Sequence, residues 1–309
     1  MSKDIGLSVV AGLASALVLL SVSTGGGPGL LLAYLMPLPL VMIGFSRGLG
    51  LLLPGGIAAL ALVAAVSASA VPAFAVTALL PAVALVPLAL RRQSGPGCPW
   101  SGSGDILAGL AATAAVAMVV GSLLFTGGEA GIEEQARAFV AQAFGQVAPQ
   151  VAPEMQGSVI ALWSALFPAM LGCAWLIMVV LNGVLAQWIV ARAGQAMRPT
   201  PAYAGLDLPS WLALALVLAA VAGMTLGGSA GYLARNAAVV LILPQTLAGL
   251  AFVHKTLRGR PNGGLLLALF YVVFFVMFGW SLVAVAGLGL VRHWTRLRRR
   301  QVEGSQEEK

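Results

Sequence analysis

Apolar runs close to the length of a membrane span recur along the chain, separated by short polar or basic breaks. They cover residues 5–22, 29–45, 49–69, 72–90, 105–126 and 159–190, a stretch from Ser210-Trp211 into the 220s, and then 233–253 and 264–291. About 20 apolar residues carry a helix across the hydrocarbon core. Backbone N–H and C=O groups in lipid must be satisfied within the segment. The pattern therefore predicts an all-α, polytopic membrane protein of about 8–9 apolar helical segments. Because a second run follows the first at once, residues 5–22 read as an uncleaved span rather than a signal peptide.

Several runs are interrupted. Pro37 and Pro39 lie in the second, Pro54-Gly55-Gly56 opens the third, and Pro72, Pro81 and Pro87 punctuate the fourth. Proline inside a soluble helix costs about 3 kcal/mol, whereas in a membrane neighbouring helices can re-satisfy the freed carbonyls. These spans are expected to be kinked or partly broken. Asp105 is placed to cap the fifth span. Residues 159–190 exceed one span, so that helix should tilt or protrude, with Trp163 and Trp188 as interfacial anchors and Asn182 and Gln187 toward its basic end.

The one long polar connection is 127–157. Within it Ile132, Ala136, Phe139, Val140, Ala143 and Phe144 recur at helical spacing, opposite Glu133, Glu134, Arg137 and Gln142. That pattern predicts an amphipathic helix lying on the membrane surface or over the bundle.

The densest cluster of unusual residues lies between Gly223 and His254. Gly223, Gly227 and Gly231 are spaced four apart, which on one helix would form a face for close helix packing. Arg235 and Asn236 follow, and Pro244-Gln245 interrupts the apolar run after them. Charged and amide side chains within spans are costly and mark candidate sites. Arg235, Asn236, Gln245 and, in the sixth segment, Asn182 are thus the expected ligand-binding residues.

Composition narrows the reading. Of 309 residues, 60% are hydrophobic and 9% charged, and the mean hydropathy is +0.96. A soluble domain carries about 25% charged residues. The net charge of +7 resides in short loops and the tail, where it sets topology and meets anionic lipid rather than nucleic acid. Cys98 and Cys173 form no disulfide framework, and His254 and His293 no metal motif. No metal or other cofactor is expected. Two histidines and ten acidic residues assemble no catalytic set, so an enzyme is not expected.

With the N-terminus inside, Arg47, Arg91-Arg92, Arg192 with Arg198, and Lys255 with Arg258 and Arg260 all fall on the cytoplasmic side. The 127–157 loop, with four glutamates against Arg137, then falls outside. Nine crossings would export the arginine-rich tail, so residues 264–291 are expected to form two short helices or a re-entrant turn. Residues 1–291 are read as one integral membrane domain of the inner membrane, and 292–309 as a basic, then acidic, cytoplasmic tail.

The motifs LMPLPLVMIGFSRGLG at 35–50, RNAAVVLILPQTLAGLAFVH at 235–254 and LGLVRHWTRLRRR at 288–300 resemble the YybS-like family of uncharacterised bacterial multi-pass membrane proteins. Their order and distances carry the resemblance over most of the chain. It implies a membrane protein without an established activity. Members often place an acid in the last motif, where this chain has Arg292-His293. The short, interrupted spans of the front half are also similar to the substrate-binding subunits of energy-coupling-factor vitamin transporters.

The expected function is a solute-binding or transport component lacking its own ATPase, since no GxxxxGK[ST] phosphate loop is present. Its expected partners are the lipid bilayer and either another membrane protein or an energising ATPase module. The alternative is a non-transporting scaffold or assembly partner of an envelope complex.

Overall fold

A computed structural model describes residues 2–22, 32–92, 100–124, 131–147, 150, 153–203 and 206–307. Among them the regular elements are helices. They are α1 (Ser2–Val22), α2 (Leu38–Arg47), α3 (Leu49–Val66), α4 (Ala68–Leu90), α5 (Ser103–Leu124), α6 (Ile132–Val147), α7 (Pro153–Arg192), α8 (Ser210–Thr225), α9 (Gly228–Arg258), α10 (Gly263–Val276) and α11 (Phe278–Glu307). By length and composition α1, α3, α4, α5, α7 and α9 can each cross a membrane, and four shorter apolar helical stretches accompany them. The expected all-helical polytopic architecture is what the chain adopts.

Two boundaries differ from expectation and a third matches it. In the second run the helix Leu38–Arg47 follows a turn at residues 34–37, with Pro37 and Pro39 at its start, where a missing N–H costs nothing; residues 23–31 lie outside the described residues. The fifth span begins at Ser103, which places Asp105 in the first turn rather than at the cap. The final run breaks at Met277 into α10 and α11, as its excess length suggested.

The chain groups into two compact units, Met1–Leu110 with Trp175–Ala202, and Ala111–Ala174 with Tyr203–Lys309. Helices α5 and α7 contribute residues to both. In the first unit small residues bring α1 against α3. The Ser8 hydroxyl donates to the Leu51 carbonyl, and a Cβ at Gly12 would overlap the Gly55 carbonyl. Helix α4 opens with a 3₁₀ turn at Ala68–Ala70 and widens into a π turn at Ala75–Leu79. Pro81, just beyond, has no N–H to return to that turn. The indole N–H of Trp175 donates instead to the Val76 carbonyl at 2.9 Å. At the C-terminal end of α4, buried Arg198 donates to the carbonyls of Ala89 at 2.7 Å and Ser101 at 3.1 Å. Trp100 has the guanidinium carbons of Arg92 and Arg198 at 5.1 and 6.0 Å from its ring centroid.

In the second unit α9 is the central helix. The N-terminal part of α7 runs parallel to it, since paired positions rise together: Ser164 with Tyr232, Ala165 and Ala169 with Asn236, and Gly172 with Val240. Helix α8 precedes α9 across a tight turn, and the breaks at 259–262 and Met277 return α11 onto α9. The amphipathic α6 buries Ile132, Ala136 and Val140. Ile132 and Ala136 share a cluster with Tyr232 and Leu233, flanked by Val119 and Phe167. The rings of Phe139 and Phe167 lie 5.2 Å apart. Ile132, Ala136 and Val140 of the apolar stripe are thus packed against protein, while Phe139 of the same stripe and Glu133, Glu134 and Arg137 remain exposed.

Candidate functional site

Proline placement shapes the polar interior of the second unit. Pro168 sits inside α7 and offers no N–H to the carbonyl of Ser164. The hydroxyl of Tyr232, 1% exposed, donates to that carbonyl at 2.6 Å. One turn along, the carboxamide of Asn236 enters the opened ladder. Its oxygen accepts from the Ala169 N–H at 3.0 Å, and its nitrogen donates to the Ala165 carbonyl at 3.0 Å. The nitrogen also donates to Tyr232 O on its own helix at 3.0 Å. Asn236 thus takes the place of a missing stretch of backbone pairing, and both atoms of its amide are engaged.

Arg235 points elsewhere. Its Nη1 donates to the Gly223 carbonyl at 3.1 Å, one of the carbonyls left over at the C-terminal end of α8. Its Nη2 lies 4.0 Å from Glu133 Oε2, and the two side chains are 51% and 55% exposed. An exposed pair at that distance contributes about 0–1 kcal/mol. The residue therefore caps α8 and tethers α6.

Gln245 shows the opposite state. It is 1% exposed, it follows Pro244 inside α9, and neither Oε1 nor Nε2 has a hydrogen-bond partner. A buried polar group left unpaired costs about 1–3 kcal/mol. Pro244 also denies the Val240 carbonyl its helical donor. Around Gln245 the backbones of α9 and α11 meet closely. A Cβ at Gly289 would overlap the Gln245 carbonyl, and one at Gly249 would overlap that of Val285.

Asn182 lies in the first unit, 1% exposed. Its Nδ2 donates to Tyr34 O at 2.6 Å and Met178 O at 2.8 Å, while Oδ1 is buried without a partner. The four expected site residues are therefore not one constellation. Asn182 belongs to one unit and the rest to the other; Arg235 and Asn236 address different neighbours; Gln245 lies nine residues beyond Asn236.

The glycine face requires a correction. Gly223, Gly227 and Gly231 do not share a helix, because α8 ends at Thr225 and α9 begins at Gly228. Gly227 is the extended residue before α9, with nothing within 4 Å of a Cβ placed on it. Gly228, at φ +58°, supplies the left-handed conformation that turns the chain. Gly223 does keep a packing role: a Cβ there would lie 2.7 Å from Arg235 Cγ and 2.9 Å from Arg235 N. Gly231 packs against the Leu226 carbonyl of the turn.

No sequence pattern marks Tyr232, Trp175, Arg198 or Arg292 as a site residue. For the first two, the available signal was a proline in a different span, Pro168 or Pro81, whose freed carbonyl needs a donor. Cys98 lies outside the described residues, and Cys173 directs its thiol to Val239 O at 3.8 Å. Among the described residues no group of His, Cys, Asp and Glu could hold a metal ion.

Residues 12–291 match the model of a family described as "Predicted membrane protein (DUF2232)", whose function is unknown. No curated protein and no solved structure matches the chain.

Proposed function

Because this chain belongs to the DUF2232 family of predicted membrane proteins, we propose that it acts within the bilayer. Its role in this reading is that of a solute-binding or transport component that relies on a separate energising ATPase module. The observation that carries the reading is Gln245. Its amide is fully buried beside a proline inside the helix, with a donor and an acceptor both unpartnered. Polar side chains left without partners within a span mark candidate solute sites. In the first unit Asn182 Oδ1 has the same property.

The protein resides in the inner membrane, with the N-terminus and the basic tail on the cytoplasmic side. The parallel course of α7 and α9, with only α8 between them, suits the alternation of basic loops. No catalytic role is assigned to any residue. The second reading, an assembly partner of an envelope complex, is favoured by Arg235 and Asn236, whose polar atoms hold helices together.

The two readings separate on purification from native membranes followed by mass spectrometry. Under the first, wild-type protein carries a small molecule that Gln245→Leu protein lacks, at equal yield. Envelope-assembly proteins recovered equally with both forms, and no small molecule with either, would support the second.

A further inference from the structure

Among the described residues of the second unit, the buried side-chain nitrogen and oxygen atoms without a hydrogen-bond partner belong to two residues, Gln245 and Arg292. Both lie along one seam. On α9 the positions 245, 249 and 252 follow the i, i+4, i+7 spacing of one helix face, and on α11 so do 285, 289 and 292. The close approaches of Gly249 to Val285 and of Gly289 to Gln245 show that these faces meet. Arg292 continues the contact, with its guanidinium carbon 4.9 Å from the centroid of Phe252.

Arg292 is the last residue of the apolar stretch Gly279–Arg292. A buried N–H of a cationic group without an acceptor is costly and calls for a partner. The face of Phe252 compensates in part through the ring quadrupole, but it provides no hydrogen-bond acceptor. Phosphate and carboxylate oxygens are the groups whose charge and geometry suit a guanidinium.

We infer that the α9/α11 seam is a binding site for an anionic oxygen group, a phosphate or a carboxylate, anchored by Arg292, with Gln245 as a second, uncharged contact. This rests on the reading of Gln245 as a ligand residue and adds the ligand's chemical class. The amide of Gln245 takes a hydroxyl or N–H on Oε1 and presents Nε2 to a further acceptor. A phospholipid headgroup and a soluble phosphorylated solute offer the same chemistry.

The test uses the full chain in nanodiscs and reads the melting temperature. One arm adds inorganic phosphate to discs of zwitterionic lipid, and the other replaces part of that lipid by an anionic phospholipid. Anion binding at about thirty times Kd raises the melting temperature by about 3 °C in a chain of this length. A rise in the phosphate arm identifies a soluble ligand, and a rise confined to the anionic-lipid arm identifies a headgroup. Arg292→Gln abolishes the rise, whereas Arg292→Lys folds equally well and keeps part of it. No rise in either arm, or a rise unchanged in Arg292→Gln, overturns the site. A rise lost in Arg292→Gln but untouched by Gln245→Leu leaves the anion site standing and overturns the ligand role of Gln245.

Discussion

Helix α9 carries two buried carboxamides nine residues apart, Asn236 and Gln245, each 1% exposed. Asn236 faces a neighbour whose ladder Pro168 has broken, and its amide supplies both a donor and an acceptor to the opened turn. Gln245 follows a proline in its own helix, and its amide has no partner. Residue type, burial and helix are alike. What differs is whether a neighbouring span presents backbone groups that lost their partners. A buried amide in a membrane helix therefore reads as structural when a proline on the facing helix accounts for it, and as a site candidate when none does.

The largest effect should come from Asn236→Leu. It leaves the Ala165 carbonyl and the Ala169 N–H unpaired, at about 1–3 kcal/mol for each group. Thermal unfolding in nanodiscs should show a fall of many degrees or a loss of folded yield. Wild-type stability would mean that the kinked turn finds its partners elsewhere. Tyr232→Phe leaves a single buried group unpaired, the Ser164 carbonyl, and should cost about 1–3 kcal/mol.

Next in size is a contrast between two glycines. Gly223→Leu forces α8 away from the backbone of Arg235 and should destabilise by about 1–3 kcal/mol. Gly227→Leu meets open space at an extended position and should stay within about 0.5 kcal/mol of wild type. Equal losses at the two positions would restore the single packed face that the four-residue spacing suggested. The smallest effect, and of opposite sign, is expected for Gln245→Leu. It removes two unpaired buried groups and should leave the melting temperature unchanged or raised. A clear fall would show that the amide has a structural partner.

The same comparison explains what was legible in the sequence. The all-helical polytopic architecture, the amphipathic helix at 132–147 and the break in the final run follow from hydropathy, periodicity and excess length, which are local properties. Pro168, Tyr232 and Asn236 each stand in the sequence, but their relation depends on α7 lying parallel to α9 in register, and no local pattern encodes that pairing. The glycines failed for a related reason. Spacing of four implies a shared face only if the helix is continuous, and Leu226–Gly228 ends it. The true close approaches, Gly12 to Gly55 and Gly289 to Gln245, join residues far apart in the chain.

Asn236 replaces pairing lost to Pro168, while Gln245 does nothing equivalent for Pro244. Two double-mutant cycles measured by reversible unfolding in bicelles test it most directly. Pro168→Ala closes the ladder of α7, so Asn236→Leu should cost much less in that background, with a coupling energy of at least about 1 kcal/mol. The cycle of Pro244→Ala with Gln245→Leu should give coupling within about 0.5 kcal/mol of zero. Comparable coupling in both cycles, or none between Pro168 and Asn236, would mean that the proline on the facing helix does not set the role of Asn236.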